Sequence, residues 1–127
     1  MLPLCLDQGV GVLPYSPLAR GLLARAAERN NPSRTPRAIE EQGTRSRVVD
    51  NDHDVVEALR AVAAERAVPP ARIVLAWLLD NAAVTAPIIG ATRPDHLDDA
   101  VAAVGLSLDE KERARLETPY LPHVRYG

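Results

Sequence analysis

The sequence has no phenylalanine, one tryptophan and three tyrosines. An aromatic core is thereby excluded, and the interior must be built from Ala, Val, Leu and Ile. A single cysteine, Cys5, excludes an internal disulfide. That fits a reducing compartment, with the thiol acting as a small buried hydrophobe. Lysine is nearly missing as well: Lys111 stands alone against fourteen arginines, a bias that codon usage sets without any function. No apolar run approaches the ~20 residues of a membrane-spanning helix. The opening Met1-Leu2-Pro3-Leu4-Cys5-Leu6 carries no basic residue and soon meets Asp7, which argues against a secretory leader. The expected location is therefore the cytoplasm. A large charge of one sign is also missing. A net charge of −2 argues against a broad basic face for nucleic acid.

What remains is ordinary for a globular chain. It has 127 residues, 46% hydrophobic and 25% charged, enough for one domain and too few for two. Residues 1–7 read as the end of a helix. Gly9-Val10-Gly11-Val12-Leu13-Pro14-Tyr15-Ser16 is a short apolar run between glycine and proline, the pattern of a buried strand. Residues 17–27 read as a turn and a short helix. Residues 30–51, with Pro32, Pro36 and Gly43 among polar residues, read as a long loop, of the kind that forms lids or stays disordered. Seven arginines against three glutamates make the stretch from Arg20 to Arg47 locally basic.

The second half is helical. Val55, Leu59 and Val62 share one helix face, behind a start rich in Asp52 and Asp54 that suits the helix dipole. Pro69 and Pro70 break this helix, and Pro70 suits the first turn of the next. That helix is expected to bury Ile73, Val74, Trp77 and Leu78. Val84 to Ile89 is a second apolar strand, interrupted by Pro87. Thr92 and Asp95 have the spacing of a capping box, and Leu97, Ala100, Val101 and Val104 form the apolar face of the helix they open. Gly105 is expected to end it. Ser107 and Glu110 are spaced as a second capping box before a last helix to about Thr118-Pro119. Strands alternating with helices imply an α/β fold with a parallel sheet and right-handed crossovers. Two strands alone cannot close a sheet, so the pattern is that of an incomplete structure.

In parallel α/β folds, ligands sit at the carboxyl ends of strands. Two junctions qualify: Tyr15-Ser16-Pro17-Leu18-Ala19-Arg20-Gly21 and Gly90-Ala91-Thr92-Arg93. Each joins small residues, which let backbone amides approach a phosphate, to an arginine that can pair with one. Tyr15 offers a flat face for stacking a ring. Adjacent strands with such ends could hold the two extremities of one dinucleotide. The residues by themselves fit an ordinary turn plus a helix cap as well, and on composition that is the plainer reading. Gly9-Val10-Gly11 precedes its strand and is no dinucleotide fingerprint. His53, His96 and His123 are too scattered for a zinc motif. His53 reads as a solvated helix start, and Lys111 as an exposed residue of the last helix.

The stretch Gly9–Gly21 resembles the seventh strand and following loop of the aldo-keto reductases. Val84–Ala100 resembles their eighth strand and helix, Ala71–Leu79 the helix before it, and Leu116–Tyr120 the last helix. The resemblance covers nearly the whole chain, in order and spacing. It implies that residues 1–127 are one partial domain, the C-terminal fragment of a (β/α)8 TIM barrel with two parallel strands and several helices. It implies NADPH as cofactor and reduction of aldehydes or ketones to alcohols. Tyr15 matches the aromatic that stacks on the nicotinamide. Ser16, Pro17, Leu18, Arg20 and Gly21 match the loop over the pyrophosphate. Gly90, Thr92 and Arg93 match the segment at the adenosine 2′-phosphate, and Arg93 is the argument for NADP over NAD. His96 and Asp99 stand where many members have Gln and Glu near the adenine. Ala100 departs from the family's Asn. Pro69 replaces the usual Ser or Thr, and a missing cap there costs on the order of 1 kcal/mol.

The family's catalytic Asp, Tyr, Lys and His lie on earlier strands, and no residue here matches them. No catalytic and no metal site is therefore expected. The carbonyl substrate would bind only in the full-length enzyme, and the isolated chain should be inactive, since hydride transfer needs a placed proton donor. Met1 aligns with the interior of the family pattern, as an internal start or a truncation would give. Two rivals remain at this point: a non-enzymatic subunit that binds NADP or completes a partner's barrel, and a self-standing helical interaction domain.

Overall fold

A computed structural model describes residues 1–23 and 50–122. The expected helix end at 24–27, most of the long loop and His123 lie outside the described residues. Five α-helices occur among the described ones: α1 (Leu2–Asp7), α2 (Asp50–Arg66), α3 (Pro70–Leu79), α4 (Pro94–Val104) and α5 (Glu110–Glu117). A single 3-10 turn spans Ala19–Gly21. Asp50 and Asn51, expected in the loop, already belong to α2.

The core lies between α2, α3 and the approach to α5. Val56, Leu59, Val62 and Ala63 from α2 meet Ile73, Val74 and Ala76 from α3, and Leu108 closes the cluster. The i, i+3, i+4 spacing along α2 sets this face. Leu18, Leu22 and Leu23 pack against the same cluster, so the loop after Tyr15 is anchored from below. Helix α3 packs against α2 on one side and α4 on the other, and α5 lies on α2.

Helix α2 ends in a Schellman motif. Val68 N donates to Ala63 O at 3.1 Å and Ala67 N to Ala64 O at 3.1 Å. Ala67 takes the left-handed position, with φ 52°, where glycine is usual. The chain is thus turned at Ala67, two residues before Pro69. Pro69 then holds the N-cap position of α3 with no side-chain cap, and Pro70 fits its first turn, as the sequence implied.

Two expectations about the helix caps fail. Thr92 does not cap α4: Arg93 occupies the N-cap position, with no side-chain cap bond. The second capping box is not Ser107 with Glu110 but Asp109 with Glu112, whose carboxylates each accept from the other's amide at 2.8 Å. Gly105 does end α4, but with φ −92° rather than in the left-handed region. Burial differs too. Ile73 and Val74 are buried, but Trp77 is 38% exposed, because its Nε1 reaches out to donate to Glu117 Oε1 at 2.8 Å. On α4 the expected inner face stands in solvent: Leu97, Val101 and Val104 are exposed, and Ala103 is the residue it buries. Cys5 is half-buried rather than enclosed.

The two expected strands are each reduced to isolated parallel bridges, Val12 with Val84 and Tyr15 with Ile88. The reason is visible in the register. Val12 N donates to Ala83 O at 3.1 Å and Thr85 N to Val12 O at 2.9 Å, the regular parallel pattern. The next two bonds would need amide hydrogens on Pro14 and Pro87, and proline has none. Ile88 N bonds Pro14 O instead, at 2.9 Å. One extra residue has entered the second segment, a bulge between the two bridges. Gly11 lets the segments approach: a Cβ there would lie 2.4 Å from Thr85 Oγ1.

Candidate functional site

Both junctions singled out in the sequence leave the paired segments at the same end. Parallel pairing of Tyr15 with Ile88 fixes this, since each loop begins just beyond its bridge. The opposite end carries a shallow recess lined by residues such as Cys5, Val10, Ala82 and Ala83. None of the candidate residues lines that recess.

On the first loop, Tyr15 is 80% exposed, with its ring available to a flat partner. Ser16 has φ 53° and Ala19 φ 48°, so two non-glycine residues adopt the left-handed region within one turn. Such positions cost on the order of 1 kcal/mol and persist only when the surroundings impose them. Here the anchoring of Leu18, Leu22 and Leu23 imposes them from beneath. Ala19 N donates to Ser16 O at 2.9 Å, and Gly21 N to Leu18 O at 2.9 Å. Gly21 itself takes φ 89°. Pro17 and Leu18 are half-buried, and Arg20 occupies the middle of the 3-10 turn.

On the second loop, Gly90, Ala91 and Thr92 are exposed, and nothing would obstruct a Cβ at Gly90. Arg93 is not bare. Its Nε donates to Asp95 Oδ1 at 3.0 Å and its terminal nitrogen to Asp95 Oδ2 at 2.7 Å, a two-pronged fork. The Arg93 guanidinium holds the Asp95 carboxyl below the usual carboxylate range, chiefly through these hydrogen bonds. His96 is exposed on the first turn of α4, and its amide donates to Arg93 O at 3.2 Å. Asp99 is less open: its Oδ1 accepts from Arg72 Nε on α3 at 2.7 Å.

The arrangement therefore offers an aromatic face, a tightly turned loop and an arginine, launched from one end of a parallel pair. These groups fit a molecule with a ring at one extremity and anionic groups along it. Neither partner carboxylate–arginine pairing was read from the sequence. Arg93 and Asp95 are two residues apart, so their proximity was a local signal that the capping-box reading obscured. Arg72 and Asp99 are far apart in sequence, and no local signal links them. Among the described residues, no group of three His, Cys, Asp or Glu side chains could hold a metal. No described helix is long and apolar enough to cross a membrane.

Comparison with known proteins shows the family. Residues 1–120 match the profile of the aldo/keto reductase family. The chain is 35% identical over 123 residues to versiconal hemiacetal acetate reductase of Aspergillus parasiticus, covering 96% of this chain and 36% of that protein. It is 36% identical to a putative aryl-alcohol dehydrogenase of Schizosaccharomyces pombe, across 96% of this chain and 34% of the relative. Norsolorinic acid reductase B of Aspergillus parasiticus is 32% identical over 94% of the chain and 31% of its own length. The chain belongs to the aldo/keto reductase family, whose fold is a (β/α)8 barrel. It spans about a third of the length of the curated relatives it matches.

Proposed function

We propose that this chain is the cofactor-binding, C-terminal part of an NADPH-dependent aldo-keto reductase that reduces aldehydes or ketones in the cytoplasm. The observation that carries this reading is the parallel Tyr15–Ile88 bridge, which sends both candidate loops off one end of the sheet. In this reading Tyr15 stacks on the nicotinamide. Ser16, Pro17, Leu18, Arg20 and Gly21 line the pyrophosphate. Gly90, Thr92 and Arg93 take the 2′-phosphate, and His96 and Asp99 flank the adenine, with Arg72 steadying Asp99. The cofactor, when bound, supplies a hydride for a carbonyl carbon. This chain's own residues bind and orient it. The proton donor comes from earlier strands of the whole enzyme, so the 127-residue chain by itself reduces no carbonyl.

The exposed apolar face of α4 supports the same reading, because the missing units of a barrel would cover it. It also keeps open a chain that completes a partner's barrel without catalysing anything itself. Titration of NADP⁺ and NAD⁺ against the chain tests the cofactor assignment, with Arg93→Ala as control. The expected result is binding of NADP⁺ and loss of most NADP⁺ preference in the variant. Equal binding by Arg93→Ala and the unaltered chain would refute the 2′-phosphate assignment. NADPH-dependent turnover of 4-nitrobenzaldehyde by the purified chain would refute the predicted inactivity.

A further inference from the structure

Arg93, the residue assigned to the 2′-phosphate, already has the Nε edge of its guanidinium filled. Asp95 meets it with two oxygens at 3.0 and 2.7 Å. A phosphate on that edge would need the same two donors in the same plane, and one on the other edge would still share the arginine with the Asp95 charge. The pair is open to solvent, with 69% of the Arg93 side chain and 56% of the Asp95 side chain exposed, so a ligand can reach both members. A carboxylate beside the ribose is also the group that accepts from a free 2′-hydroxyl in sites for the unphosphorylated dinucleotide. Attraction for the phosphate and attraction for the hydroxyl are therefore built from adjacent side chains.

We propose that Asp95 sets the preference of this site between NADP⁺ and NAD⁺, by competing with the 2′-phosphate for Arg93 and by accepting from the 2′-hydroxyl when that phosphate is missing. The inference rests on the reading of Arg93 given above, and assigns Asp95 as a specificity determinant. Removing its charge has two effects of the same sign. The phosphorylated dinucleotide gains a free arginine and loses a like-charged neighbour. The unphosphorylated one loses a charged acceptor. The ratio of the two affinities therefore moves further than either affinity alone.

The test is a pair of titrations, NADP⁺ and NAD⁺, against the chain, Asp95→Asn, Arg93→Ala and Asp98→Asn. Asp98 is an exposed carboxylate on the same helix, so its variant removes an equal charge from α4. Circular dichroism confirms that each variant retains its helices. The expected result is a rise of about fivefold or more in NADP⁺-over-NAD⁺ preference for Asp95→Asn, with Asp98→Asn within about twofold of the unaltered chain. An unchanged ratio in Asp95→Asn, or an equal shift in Asp98→Asn, overturns the inference. If Arg93→Ala still loses its preference in that case, the cofactor reading survives it. Failure of the unaltered chain to bind either dinucleotide overturns both.

Discussion

In the helical layer Val62 and Ile73 have no exposed surface, while along the paired segments Val10, Leu13, Tyr15 and Ile88 stand in water. The helices also lock their charges together. Arg66 of α2 forks onto Glu112 of α5 at 2.5 and 2.6 Å, and Arg115 of α5 forks back onto Glu65 at 2.6 and 2.8 Å. Arg113 pairs with Asp80, tying α5 to the end of α3. Among the described residues the segments show no comparable ties: two bridges, two prolines and a bulge. The helices complete one another within this chain. The segments and the face of α4 leave apolar side chains exposed, which in the proposed reading the family's barrel would cover. The candidate ligand groups all stand at the edge of the less complete region, and one loop of that edge is fastened to the core by Leu18, Leu22 and Leu23.

The sharpest way to break this contrast is a matched truncation. Ile73→Ala, in the closed core, should cost about 3 kcal/mol in chemical denaturation. Ile88→Ala, 48% exposed at its bridge, should cost less than about 1 kcal/mol. Equal costs would mean that the two regions are equally packed. Within the segments, Gly11→Ala forces a Cβ against Thr85 and should cost about 1–3 kcal/mol.

The charge network gives a smaller effect with a defined pH range. The hydrogen bond from Arg66, then that from the Asp109 amide, lowers Glu112 from 4.5 to about 2. A carboxylate depressed in the folded state stabilises it above its ordinary pKa. That stabilisation is lost as the pH falls from about 5 towards 2. The melting temperature should drop across that interval, and Glu112→Gln should flatten the drop. The smallest change has the opposite sign. Ala67→Gly relieves the left-handed alanine of the Schellman turn and should stabilise the chain by up to about 1 kcal/mol.

How far the sequence could be read follows the same division. The faces of α2 and α3 were legible, Trp77 apart, because their partners lie within the chain, so periodicity and burial agree elsewhere. The same rule misled at α4. Leu97, Val101 and Val104 have the spacing of an inner face, yet nothing among the described residues covers them. Pro87 was read as an interruption of the second strand and Pro14 as a boundary of the first. What could not be read was that Pro14 and Pro87 fall opposite one another and remove two consecutive ladder bonds. The capping boxes show an ambiguity of register: Ser107 with Glu110 and Asp109 with Glu112 share one spacing, and only the second is formed. At the candidate site the loops were singled out from strand ends and small residues, and the structure sends both off one end of the paired segments. The carboxylates that occupy Arg93 and engage Arg72 were not.

The central claim is that the two loops grip opposite extremities of one nicotinamide nucleotide. Amide hydrogen exchange on the chain with and without NADP⁺ tests it most directly. The account predicts slowed exchange at 15–21 and 90–99 together, with α2 and α5 unchanged. Protection of one loop alone, or of neither, would contradict it.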